Sequence, residues 1–331
     1  MPPAEAVARF RADLSALTGP LADARLAIAV SGGADSMALL ALAAAALPGQ
    51  VIVATIDHRL RPENAGEAVM VAGWCALAQV PHATLAVTEP RAAGDNLHDW
   101  ARQARYRLLT DWAAAAGAAL LATAHHADDQ AETFLMRAVR GAGVAGLAGI
   151  RARQEIRPGI TLVRPLLGWR RAELRALAQS AGLPFVDDPS NADDRFERTR
   201  VRALLAREPM LDAAALARAA AHAAEADATL AALEAHFWAA CRLPPTDGDA
   251  HQLWLDLAGL PREIKRRLAR TAIARVRADA GITRPAFDDA ANIEPLLDAM
   301  AAGRAATQAG VVVRPAGTVW RFAPAPPRRS R

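Results

Sequence analysis

Cysteine is almost missing from the 331 residues, with only Cys75 and Cys241 present. They lie far apart, which excludes a disulfide scaffold, a four-cysteine zinc site and a CxxC redox pair. A reduced, cytoplasmic setting is the expectation. Lysine is scarcer still: Lys265 stands alone among 39 basic residues, a bias of composition rather than of chemistry. No apolar run reaches the ~18 residues of a membrane span. The N-terminal MPPAEAVARF has no basic patch followed by an apolar stretch, so no secretory leader is expected. Hydrophobic residues at 53% and charged ones at 22% exclude a disordered chain. The length predicts about two domains.

What is present is unevenly charged. Between Arg137 and Arg207, 14 arginines face 7 acids, a net of +7 in a chain whose total is +4. The remainder is therefore acidic by −3. A basic centre on an acidic chain suggests a surface for a polyanion, although a solvated arginine face explains the count equally well.

Short apolar runs alternate with helical patterns. Val7, Phe10, Leu14 and Leu17 mark one face of an N-terminal helix within 1–20 that ends at Gly19-Pro20. Strands are predicted at 26–30, 51–56, 83–87 and 120–124, with a fifth at 161–166, and helices at 36–47, 63–80, 96–116, 128–139 and 170–182. Strands apolar throughout, each followed by a helix, predict an α/β domain built on a parallel, doubly wound sheet covered on both faces. From about 211 the composition turns to Ala-rich helix, with another helix at 262–278 and a strand pair at 311–313 and 318–322. The expected division is 21–208 for the first domain and 209–331 for a mainly helical second one.

Ser31-Gly32-Gly33-Ala34-Asp35-Ser36 follows the first strand and opens a helix. Glycines allow a ligand close to the backbone, and the free N–H groups of a helix start attract anions, most naturally phosphate. Neither a Walker A lysine nor a third dinucleotide-type glycine is present. A carboxylate at Asp35 beside phosphates implies an intervening cation, Mg2+. The loop resembles the PP-loop of the N-type ATP pyrophosphatases, an adenine nucleotide alpha hydrolase-like fold. That resemblance implies ATP as co-substrate and cleavage to AMP and pyrophosphate.

A second motif, His125-His126-Ala127-Asp128-Asp129-Gln130-Ala131-Glu132, follows the fourth strand. Read as a helix start, it puts His125, Asp129 and Glu132 on one face, suited to an ammonium or a metal ion. Asp128 reads as an acid that complements the helix dipole. Further segments are Asp57-His58-Arg59-Leu60-Arg61-Pro62-Glu63, Asn96, Arg102 to Tyr106, the run Arg137 to Leu147, Arg164-Pro165-Leu166-Leu167, and Asp188-Pro189-Ser190-Asn191 with Arg195, Arg198, Arg200 and Arg202 behind. In this order and spacing they resemble the tRNA(Ile)-lysidine synthetase family over roughly 26–205, and more weakly over 250–275. Arg59, His98 and Thr199 depart from its pattern, and the chain is expected to be a shorter form without a second C-terminal domain.

The resemblance implies a ligase of tRNA modification. It joins lysine to C2 of the wobble cytidine of tRNA(Ile) with a CAU anticodon through an adenylated RNA intermediate, so that AUA is read instead of AUG. Ser31 to Ser36 would bind ATP, with Asp35 also the metal contact. Arg105 would neutralise phosphate charge. Asp129 and Glu132 would bind lysine or deprotonate its amine. His125 would be catalytic or equally a structural histidine. Arg140, Arg198, Arg202, Arg266, Arg267 and Arg270 are the candidates for tRNA contact, each of them as readily a solvated side chain. Homodimer formation stays open. The alternatives are another adenylating PP-loop enzyme and a non-catalytic tRNA-binding homologue. Sulfur transfer is disfavoured by the placing of the two cysteines.

Overall fold

β1 (Leu26–Ala29) shows why the strands read as continuously apolar. Leu26 and Ile28 enter one core, while Ala27 enters the other. The structure is a computed structural model that describes all residues except 22–23, 58–62, 89–96, 188–196, 245–250, 289–290 and 327–331. The segment 58–62, Asn96, Asp188 to Asn191 and Arg195, which the family resemblance uses, lie outside the described residues.

β1 is joined by β2 (Val51–Asp57), β3 (His82–Ala86), β4 (Leu120–Ala122), β5 (Arg153–Arg157) and β6 (Ile160–Val163) in the order β3-β2-β1-β4-β6-β5. All pairs are parallel except β5 with β6. β5 is the strand the sequence conceals. Its RQEIR is polar, as suits an edge, and only Ile156 reaches a core. On one face pack α1 (Ala4–Thr18), α2 (Ala34–Ala46), α3 (Glu63–Leu77) and a later helix, α7. On the other lies α4 (Leu97–Ala115) through Leu109 and Ala113. α2 is buried nearly all round, Met37, Leu39, Leu40 and Leu42 being sealed, so it carries no polar stripe.

α5 (Ala127–Val139) and the short α6 (Val144–Leu147) follow β4 and pack on one another, and α7 (Arg171–Ser180) follows β6. α8 (Glu197–Arg207), which the reading by periodicity missed, packs on α5. Its arginines, not an apolar stripe, make the contact. α9 (Ala213–Cys241) is one helix of 29 residues.

By its contacts the chain divides into two units, Met1–Glu225 and Ala226–Arg331, so the division falls inside α9. In the second unit the expected strand pair is β10 (Val311–Ala316) with β11 (Val319–Pro324). They form the centre of a sheet β7-β8-β11-β10-β9, to which β7 (Arg242–Leu243), β8 (Leu253–Asp256) and β9 (Ala306–Gln308) add short antiparallel strands. α10 (Arg262–Asp279) and α11 (Glu294–Ala301) cover it, with Ile264, Leu268, Ile273 and Leu297 against Val311, Val313 and Phe322. Among the described residues no helix is long and apolar enough to cross a membrane.

Candidate active site

In the sheet order, β1 lies between β2 and β4. The crevice beyond its carboxyl end is therefore the switch point where open α/β sheets hold ligands. The PP-loop occupies it. The Ser36 hydroxyl closes the loop: it donates to the Gly33 carbonyl (2.9 Å) and accepts from the Ser31 N–H and hydroxyl (both 3.2 Å). Ser36 is buried and spent on the loop itself, while Ser31, Gly33, Ala34 and Asp35 line the crevice. Gly32 has φ +90°, and a Cβ there would stand 3.2 Å from Met70 Cε and 3.4 Å from Glu67 Cβ. Its carbonyl also accepts from the Val186 N–H at 3.0 Å. Gly33 caps α2 with no side chain, which leaves the first N–H groups of the helix for an anion.

The second wall is the start of α5, and here the sequence reading is corrected. The helix begins at Ala127, so His125 precedes it and does not share its face. The N-cap is His126, buried, whose Nδ1 accepts from the Asp129 N–H (3.3 Å) while Asp129 Oδ2 accepts from the His126 N–H (3.1 Å). His126 Nε2 lies 3.4 Å from Asp35 Oδ2 and 3.5 Å from Asp129 Oδ2. One imidazole thus joins the PP-loop acid to the α5 acid. Burial pushes its pKa down, but the hydrogen bond to Asp35 and the nearby carboxylates of Asp129, Asp35 and Asp128 outweigh that and raise it. The His-His doublet was the signal; periodicity chose the wrong member.

His125 turns to Thr123, with Nδ1 2.9 Å from the hydroxyl. Burial lowers its pKa to about 4, against Asp129 and with help from Arg164, Arg198 and Arg105. It is neutral at pH 7. Arg105 lies over the Tyr106 ring at 5.5 Å and does not line the PP-loop crevice.

Glu132 is 2% exposed, and α8 closes it. Arg198 Nε donates to it at 2.6 Å and Arg202 Nε at 2.8 Å, while Arg198 Nη2 reaches Asp129 Oδ1 at 2.9 Å. Asp129 still lines the crevice. Asp128 stands in the first turn of α5, yet its hydrogen bonds go to another helix. It accepts from Arg170 (3.1–3.3 Å) and from the Arg171 N–H (2.7 Å), so it fastens the start of α7.

The crevice holds about 260 Å³ of open volume. Its lining adds Glu67, Arg171, Arg175, Val186 and Asp187, none of which the motifs had pointed to. The other arginines expected to meet RNA also have partners inside the chain. Arg140 pairs with Glu197, Arg266 with Glu263 and Glu294, and Arg267 with Asp227 and Glu263; Arg270 donates to the Ala291 and Asp288 carbonyls. A reading of charge along the sequence has no way to see these partners.

A glycine loop opening a helix at the switch point, with a carboxylate in its first turn, defines a PP-loop nucleotide-binding enzyme. Residues 7–208 match the PP-loop domain family. Over 98% of the chain and 95% of its relative, the sequence is 43% identical to a tRNA(Ile)-lysidine synthase of Novosphingobium aromaticivorans. It is 38% identical to one of Zymomonas mobilis over 95% and 92%. Among solved structures, the U34-tRNA thiolase of Methanococcus maripaludis aligns with TM-score 0.55 and 16% identity over 66% of this chain and 80% of its own, a likeness of fold. The chain belongs to the tRNA(Ile)-lysidine synthase family.

Proposed function

We propose that the protein ligates L-lysine to C2 of the wobble cytidine of tRNA(Ile) with a CAU anticodon, using ATP and releasing AMP and pyrophosphate. The observation that carries this reading is the single crevice in which the PP-loop and the α5 acid meet through His126. The α2 N–H groups receive phosphate. Asp35 Oδ1 is buried with no hydrogen-bond partner, as a carboxylate oxygen reserved for a hard cation would be. Among the described residues no group of three or more metal-ligating side chains gathers. Mg2+ fits, because it keeps most of its shell in water and phosphate oxygens. When bound it offsets phosphate charge. Asp129, open to the crevice, receives the lysine amine. Glu132 holds Arg198 and Arg202, which fixes α8 against the site. Cys75 is fully buried and burial pushes its thiol pKa up to about 11, both of which disfavour the thiolate that a sulfur-transfer reading needs.

The test is mass analysis of the wobble nucleoside after incubation with ATP, lysine and the tRNA. A lysine adduct that needs all three supports the proposal. An Asp35→Ala protein that folds is expected to yield none; normal turnover by it would remove Asp35 from the reaction.

A further inference from the structure

Three guanidinium groups line the crevice, and two of them are already engaged. Arg175 is held by both oxygens of Asp187 at 2.7 and 2.8 Å. Arg202 is held by Glu132. Arg171 is different: its backbone N–H is tied to Asp128, and its half-buried side chain, though near enough to help hold the Asp187 carboxyl below its ordinary pKa, makes no hydrogen bond or ion pair among the described residues. Four carboxylates (Asp35, Glu67, Asp129 and Asp187) face these three cations in the lining. A cation with no partner in such a crevice offsets part of that negative charge for an arriving polyphosphate, in addition to the α2 N–H groups and Mg2+.

We infer that Arg171 receives the terminal phosphates of ATP and then the pyrophosphate leaving group, an assignment that rests on the ATP-dependent reaction proposed above. A guanidinium presents a planar fork that matches two phosphate oxygens at once. Arg171 is the first residue of α7, and Asp128, two residues into α5, fixes that start. The anchor of Arg171 is thus the same helix turn that carries Asp129. The backbone that carries the side chain is thus placed before ATP arrives. Ser31, Gly33 and Ala34 line the same crevice as Arg171. Leaving-group charge that develops as AMP is transferred meets a fixed positive partner there.

The experiment titrates the full chain calorimetrically with inorganic pyrophosphate and with AMP, and measures the KM of ATP and of lysine. Arg171→Ala and Arg171→Lys are compared with the wild type, and melting temperature is the control for folding. Loss of one charge-assisted hydrogen-bonded contact should weaken pyrophosphate and raise the KM of ATP roughly 10- to 100-fold, with AMP binding and the KM of lysine little changed. Arg171→Lys should recover part of the loss. Unchanged pyrophosphate affinity in a folded variant overturns the inference. So does an equal loss of AMP and pyrophosphate that follows the melting temperature, since that marks a structural role. A rise confined to the KM of lysine overturns it in favour of the lysine carboxylate. If the wild type forms the lysine adduct while Arg171→Ala binds pyrophosphate normally, this assignment alone falls. If the wild type binds neither ATP nor pyrophosphate, the proposed function falls with it. Should Arg171→Ala not fold, Arg171→Lys and Arg171→Gln give the same readouts.

Discussion

Asp129 and Glu132 sit about one turn apart on α5 and meet different surroundings. The side chain of Asp129 is 16% exposed and lines the crevice; that of Glu132 is 2% exposed and faces two arginines. Their conservative variants should therefore diverge. Asp129→Asn is expected to raise the KM of lysine with the adenylated RNA still formed. Glu132→Gln is expected to loosen α8 and lower stability by about 2–3 kcal/mol, less than a fully buried pair because Arg198 is 44% exposed. Separate measurement of the adenylated intermediate, the lysine adduct and the melting temperature checks both. Equal loss of the intermediate in the two variants would assign the pair to ATP instead. His125 supplies a pH test. Its folded pKa of about 4 lies below the ordinary 6.5, so the unfolded chain binds the proton first as pH falls. Its contribution is present above about pH 6.5 and is lost on acidification towards pH 4, by about 3 kcal/mol in all. The melting temperature of the wild type should fall more steeply between pH 6.5 and 4.5 than that of His125→Asn. Parallel curves would show that His125 titrates freely.

At the scale of elements, the site depends on how helix starts are held. α5 is capped by His126, whereas at the start of α7 the Arg170 side chain caps no N–H group and, of the backbone N–H groups there, Glu173 accepts only from that of Arg170, at 2.6 Å. Asp128 replaces that cap from another helix, through the Arg171 N–H and the Arg170 guanidinium. Asp128→Ala should cost about 1–2 kcal/mol, in the range of a lost helix cap. It should also raise the KM of ATP without touching any phosphate. Thermal melting and steady-state kinetics check it, and a change in melting alone would show that α7 holds its place unaided. The strand-helix alternation was legible because strands covered on both faces must be apolar throughout. β5 was not, because an edge strand with a polar sequence looks like a loop until its partner is known. Nor was α8, whose partners Asp129 and Glu132 lie more than sixty positions earlier.

At the scale of the whole molecule, the basic cluster of α10 was expected to track RNA. Arg262, Arg266, Arg267 and Arg270 are engaged within the second unit, and Arg267 is only 12% exposed against an equally covered Asp227. The Lys265 side chain makes no hydrogen bond or ion pair among the described residues and lines an open groove of about 340 Å³ with Arg262, Gly317 and Thr318. Lys265→Gln should therefore weaken tRNA binding and lower its salt slope by about one. Arg267→Gln should instead lower the melting temperature, at a cost of about 3 kcal/mol for breaking a buried pair. Salt-dependent tRNA affinity set beside melting curves separates the two. An unchanged salt slope for Lys265→Gln would leave the groove without an RNA role.

The local order of residues determined the elements that carry the chemistry. Apolar strand, glycine turn and helix follow one another within a dozen positions, and backbone sterics with solvent exclusion suffice to make them. The same holds for the acids of α5, which helical periodicity puts side by side. Tertiary structure alone decided which charges stay available. Whether an arginine meets a phosphate or a carboxylate depends on what the fold brings within about 4 Å of it. That is why Arg198 and Arg202 turn inward onto Glu132, why His126 rather than His125 meets Asp35, and why Arg171, in no motif, lines the PP-loop crevice with no hydrogen bond or ion pair among the described residues.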